Sequence, residues 1–186
     1  MNDLVEKILS GHFTRTSLLR LRENAVTRLG TKPEDERAKE VKEIIDSTQL
    51  PTLMKEYVFM GFMPGADSDR AIDDKWYSDG ICTFDWYADT KQTEHFYKIL
   101  SGDILITKKM LISSTQMEIY AHGDVVETVD SPASNQRWLK VDWHHPKEFL
   151  VVPLIGCTRT VNPRSLEVVE EKMPDEFWEW IKEGRS

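Results

Sequence analysis

Five aromatic residues, Trp76, Tyr77, Phe84, Trp86 and Tyr87, fall within twelve positions of one another, in and beside a stretch rich in aspartate. A planar heteroaromatic ligand or a methylated group is held by ring faces plus one or two polar groups at its edge, and stacking contributes roughly 1–3 kcal/mol per base. In the strand-like segment 81–87, Phe84 and Trp86 share one face and Asp85 and Tyr87 the other, because side chains alternate along an extended chain. Asp85 is the candidate for reading a ligand's edge, and Lys108 with Lys109 is the candidate pair for meeting flanking phosphates. Such a set suits a nucleobase flipped out of its stack. The same rings would serve equally as bulky fillers of a small β-barrel core, and spacing alone leaves both readings open.

Other chemistries find less in the sequence. It contains no GxxxxGK[ST] phosphate loop, no GxSxG nucleophile turn and no HExxH zinc helix. His144 and His145 are adjacent, so on a strand they point to opposite faces and make a poor pair of ligands. The acidic stretch Asp67, Asp69, Asp73, Asp74 lacks the glycine and terminal glutamate of a calcium loop and reads as a solvated surface loop. A small metal-dependent hydrolase or nuclease built on Asp67, Asp73 or His144 therefore has no motif behind it. No catalytic residue, metal site or cofactor is expected, and the chain is read as a non-enzyme.

Charge narrows the choice of partner. The net charge is -8, from 24 Lys/Arg and 32 Asp/Glu. Residues 1–50 hold nine of each sign, so residues 51–186, with 15 basic and 23 acidic residues, carry all of it. A domain that grips long stretches of phosphate backbone is basic. Any nucleic-acid role must therefore be local, resting on a pocket and a small basic patch. No apolar run approaches the ~20 residues that span a bilayer, and no secretory leader is expected. The two cysteines, Cys82 and Cys157, belong to no CxxC pair and read as reduced thiols of a cytoplasmic protein.

The elements that must position these residues are set by periodicity. Residues 1–50 form an N-terminal helical segment, with apolar stripes at Leu4, Val5, Ile8 and Leu9, at Leu18, Leu19, Leu21, Ala25, Val26 and Leu29, and at Ala38, Val41, Ile44 and Ile45. Three short helices bury little alone and must pack on one another and on the β-rich domain or a partner. From residue 51 the texture is β-rich. Strands are predicted at 57–63, 81–87, 104–110, 137–145, 149–155 and 166–169. Residues 117–129 are expected to form two further strands broken near Gly123, residues 66–79 a loop, and residues 91–100 and 174–184 helices. In RWLKVDWHH, Trp138, Lys140, Asp142 and His144 share one face, and Leu139, Val141 and Trp143 the other. Short strands with few helices between them suggest an α+β fold whose mostly antiparallel sheet curls towards a barrel.

The run from 76 to 143 resembles a known pattern. The segments KWYSDGICTFDWYAD, HFYKILSGDILITKKM, MEIYAHGDVVETV and RWLKVDWHH are similar to EVE-type domains of the PUA-like superfamily, above all those that accompany modification-dependent restriction systems. Gly102-Asp103-Ile104, Lys108 and the Gly123–Val125 step carry most of the likeness, which covers about seventy residues. One position departs: Cys82 stands where a tryptophan is expected after Gly80-Ile81, so Trp86 would have to replace it. The resemblance implies a small PUA-like pseudo-barrel over residues 51–186. It further implies a DNA-binding reader, acting in restriction or phage defence, that holds a modified base such as methylated or hydroxymethylated cytosine in an aromatic cage. Its nucleic acid would be modified DNA, or RNA. With no nuclease segment in the chain, a separately encoded effector such as a nuclease would complete it. The alternative is a non-catalytic adaptor that binds protein through its acidic surface and N-terminal helices.

Overall fold

A computed structural model describes residues 3–9, 13, 15–47, 55–62, 73–84, 89–111, 115–131 and 136–185. Three helices come first: α1 (Asp3–Leu9), α2 (Arg15–Thr31) and α3 (Glu36–Ser47). Their apolar stripes meet in a core of their own, formed by Ile8, Leu18, Ala25, Ala38, Val41 and Ile45. This unit is fastened to the remainder by a buried ion pair. Arg15 donates from Nη1 and Nη2 to the two carboxylate oxygens of Asp103, at 2.8 and 2.9 Å, and Nη1 also reaches the carbonyl of Lys98.

The remaining elements are β1 (Glu56–Gly61), α4 (Asp73–Asp79), β2 (Ile81–Thr83), α5 (Thr90–Tyr97), β3 (Ile104–Met110), β4 (Gln116–Ser131), β5 (Gln136–His144), β6 (Leu150–Pro153), β7 (Val161–Ser165), α6 (Leu166–Lys172) and α7 (Asp175–Glu183). The seven strands form one mixed sheet in the order β2-β5-β4-β3-β1-β7, with β6 also pairing β4. Among the described residues only β1 and β3 run parallel; the segment between them, with α4, β2 and α5, makes the crossover. The other pairings are antiparallel.

The α+β class holds, but the pseudo-barrel does not. The sheet is open and not strongly curled: its path ends at β2 and at β7, and no pairing of the described residues joins those ends. Two features explain the difference. The region 117–129 is one continuous strand rather than two, and β4 carries β6 beside its first half and β5 beside its second. Helices then cover both faces, which makes closure unnecessary for burying the sheet. On one face α6 and α7 bring Val169, Phe177, Trp180 and Ile181 against Tyr57, Phe59, Ile104, Ile106 and Ile119. On the other, α4 and α5 bring Trp76 and Phe96, together with Phe84, against Val58, Met60, Leu105, Leu139 and Val141.

Two shorter assignments are also corrected. Residues 73–79, expected as loop, are helical because Trp76 needs a short amphipathic turn to reach the core. Residues 166–169 are helical rather than extended: the Ser165 side chain accepts from the backbone of Val168, and Glu167 sits favourably in the first turn. The strand there is the preceding VNPRS.

Candidate functional site

The aromatic residues singled out in the sequence divide into two groups. Trp76 and Phe84 are core: Trp76 is buried and donates from Nε1 to Thr83 Oγ1 at 3.3 Å, and Phe84 stacks on Phe96 with ring centroids 5.5 Å apart. Tyr77, next in the chain, packs at the margin of that core and is half-buried. Its hydroxyl lies 2.7 Å from Thr107 Oγ1 in β3. Its ring meets Trp143 edge-on at 5.1 Å and His145 edge-on at 4.6 Å. Asp85, Trp86 and Tyr87 lie outside the described residues, as do Asp67 and Asp69.

Strand β5 supplies the rest of this cluster. Its burial alternates as the sequence pattern requires: Leu139 and Val141 are buried, Trp138, Lys140 and Asp142 exposed, and Trp143 is half-buried at the end of the inward row. Gly123 on β4 makes room for the Trp143 indole. A Cβ there would lie 2.9 Å from Trp143 Cε3 and 2.4 Å from Val141 Cγ1, so only glycine lets the ring settle on the sheet. The indole Nε1–H of Trp143 is buried and has no acceptor among the described residues. A buried donor left unpaired costs about 1–3 kcal/mol. The aromatic band continues through Phe62 and Tyr120, with centroids 5.2 Å apart, to Phe149, whose ring is exposed.

The two lysines separate. Lys108 is buried on the opposite face of the sheet, where its ammonium donates to the carbonyl of Cys157 at 2.7 Å. Burial, with Arg164 adding to it, lowers its pKa to about 8. Lys109 is exposed. The structure thus brings Tyr77 together with Trp143 and His145, keeps Trp76 and Phe84 in the core, and puts the sheet between Lys108 and Tyr77.

Sequence spacing does not single out Trp143 and His145 as partners of Tyr77. The available signal is the alternation of 137–145, which sets Trp143 on the inward row and His145 one step beyond it, on that same side. Among the described residues, no group of three His, Cys, Asp or Glu side chains is disposed to hold a metal ion, and no helix is long and apolar enough to cross a membrane. Compared with protein-family models, curated proteins and solved structures, the chain matches none.

Proposed function

We propose that the protein is a non-catalytic nucleic-acid reader that takes one base, modified as in methylated or hydroxymethylated cytosine, against Tyr77, Trp143 and His145. The observation that carries this reading is the buried indole N–H of Trp143, unpaired among the described residues and set within a partly open aromatic cluster. A base offers both partners the cluster needs, a π-face for the rings and a carbonyl oxygen or ring nitrogen to accept from Nε1. One extruded base asks for few phosphate contacts, which reconciles a nucleic-acid ligand with a net charge of -8. Lys109 is the exposed member of the lysine pair and the one suited to an adjacent phosphate. The likeness of residues 76–143 to EVE-type domains supports the same ligand class and a setting in restriction or phage defence. The effector would be a separate protein.

A second reading rests on the helical unit. Leu9, Leu19 and Val26 are exposed on α1 and α2, and apolar side chains on short helices favour a protein partner. In the adaptor reading that partner is the whole function; in the reader it is the effector's docking point.

Binding to matched oligonucleotides, unmodified or carrying methyl- or hydroxymethylcytosine, separates the two. The reader prefers one modified strand, and the preference persists from low to moderate salt. Equal, salt-labile binding to every strand, or none, overturns it and leaves the adaptor.

A further inference from the structure

On the face of the sheet opposite the aromatic cluster, Asp124 is the hub of a charged network. Its carboxylate accepts from Lys55 Nζ at 3.2 Å and from Arg185 Nη2 at 2.9 Å, and His144 Nε2 lies 3.1 Å away. These partners come from three parts of the chain: the residue before β1, the turn after α7, and the end of β5. Burial alone would raise the pKa of Asp124, but Lys55, Arg185 and His144 outweigh it and hold the carboxyl below its ordinary value.

Beside this hub, His122 on β4 is fully buried, and neither ring nitrogen has a hydrogen-bond partner among the described residues. Its ring packs 5.1 Å from that of His144 and 5.2 Å from that of Trp180 on α7. The turn after α7 closes directly over it. A Cβ on Gly184 would lie 2.6 Å from His122 Nε2, 3.1 Å from His144 Cβ and 3.2 Å from Pro146 Cδ. The backbone of residues 184–185 is therefore the cover on the imidazole, and Arg185 on Asp124 pins the cover in place.

We propose that the turn after α7, residues 184–185, is an acid-released latch: a proton taken up by His122 drives it off the sheet. The charged groups around His122 decide the direction. His144 and His145 end β5 and Arg185 follows α7; against these stands the carboxylate of Asp124, already shared by three partners. An imidazolium would be fully buried, without an acceptor among the described residues, in surroundings that are cationic on balance. Lifting the cover to admit water relieves this at least cost, because a turn at the surface opens more readily than a central strand. Burial first, then His144 and Arg185, lowers the pKa of His122 to about 4, so release falls between the ordinary imidazole value of 6.5 and about 4.

Amide hydrogen exchange on the full chain from pH 7 down to pH 4, corrected for intrinsic rates, tests the latch. The expected result is that residues 184–185 lose protection at a higher pH than β3 and β4 do. His122→Phe keeps that segment protected across the window, and Arg185→Gln removes the protection already at pH 7 while the central strands keep theirs. Loss of protection by the turn and the central strands together overturns the proposal. So does a His122→Phe profile that matches the wild type, or an Arg185→Gln turn as protected as the wild type at pH 7.

Discussion

Asp103→Ala removes the ion pair between the helical unit and the sheet while the Arg15 backbone still donates to Glu56 Oε1, and its cost can be worked from the contacts. The carboxylate is fully buried and accepts four hydrogen bonds: two from Arg15, one from the backbone of Glu56 at 3.1 Å and one from the backbone of Leu100 at 2.8 Å. Its loss leaves the Arg15 guanidinium, only 3% exposed, without its bidentate partner. Breaking a buried pair from one side costs about 3–5 kcal/mol. Two backbone donors that lose this acceptor push the total to the upper end of that range, about 5 kcal/mol. Against a typical domain stability of about 5–15 kcal/mol, this leaves a marginal fold. Asp103→Asn, which keeps the shape and one acceptor oxygen, loses less, about 3 kcal/mol. Because Arg15 and Asp103 act as one unit, adding Arg15→Met to Asp103→Ala costs far less than the sum of the single changes. Urea unfolding monitored by circular dichroism measures the wild type, the three single variants and the double variant. A loss below about 1 kcal/mol for Asp103→Ala, or additive single changes, would refute the assignment of this pair as the tie between the two units.

Gly123→Ala forces a Cβ into contact with Val141 and Trp143 and destabilises by about 1–3 kcal/mol, with a change in the near-ultraviolet signal as the indole moves; an unchanged signal would show that Gly123 does not seat the ring. Lys108→Met raises the melting temperature at pH 7 and leaves oligonucleotide binding intact, because the buried ammonium holds only a carbonyl and its charge opposes burial. For the wild type, the folded pKa of Lys108 lies below the unfolded value, so its contribution to stability rises as pH climbs from about 8 to 10.5. For His122, the unfolded chain takes its proton near 6.5 and the folded chain near about 4; the unfolded state holds more protons between them, and stability falls by about 3 kcal/mol as pH drops through that window, measured by urea midpoints. His122→Phe flattens that fall.

Local patterns are legible in the sequence, and non-local ones are not. The helical stripes of residues 1–47 and the alternation of β5 can be read because each is fixed by its own periodicity and by one buried side. Gly123 reads as a break in a strand, but it lies inside β4, where the missing Cβ accommodates a ring from the neighbouring strand. That reason is invisible without knowing that β4 and β5 pair. The helix at 73–79 is hidden by its aspartates, since one buried face of a seven-residue helix needs only Trp76. The number of strands suggests barrel closure, yet closure depends on what pairs at the edges, and no local signal in β2 or β7 specifies that. For the site, clustering along the chain favours residues 76–87. The structure instead gathers Tyr77, Trp143 and His145 from distant segments, and Trp76 and Phe84 pack inward because α4 and α5 need fillers.

The central claim is that the Trp143 indole N–H receives the edge of a bound base. The affinity of wild type and Trp143→Phe for one strand carrying a modified cytosine, measured side by side at moderate salt, tests it most directly. The substitution keeps a ring on the sheet and removes only the donor and part of the stacking surface. The expected result is about a tenfold loss, the equivalent of about 1.4 kcal/mol for one hydrogen bond, with folding intact. Equal affinity for the two proteins, or no preference of the wild type for the modified strand, would contradict it.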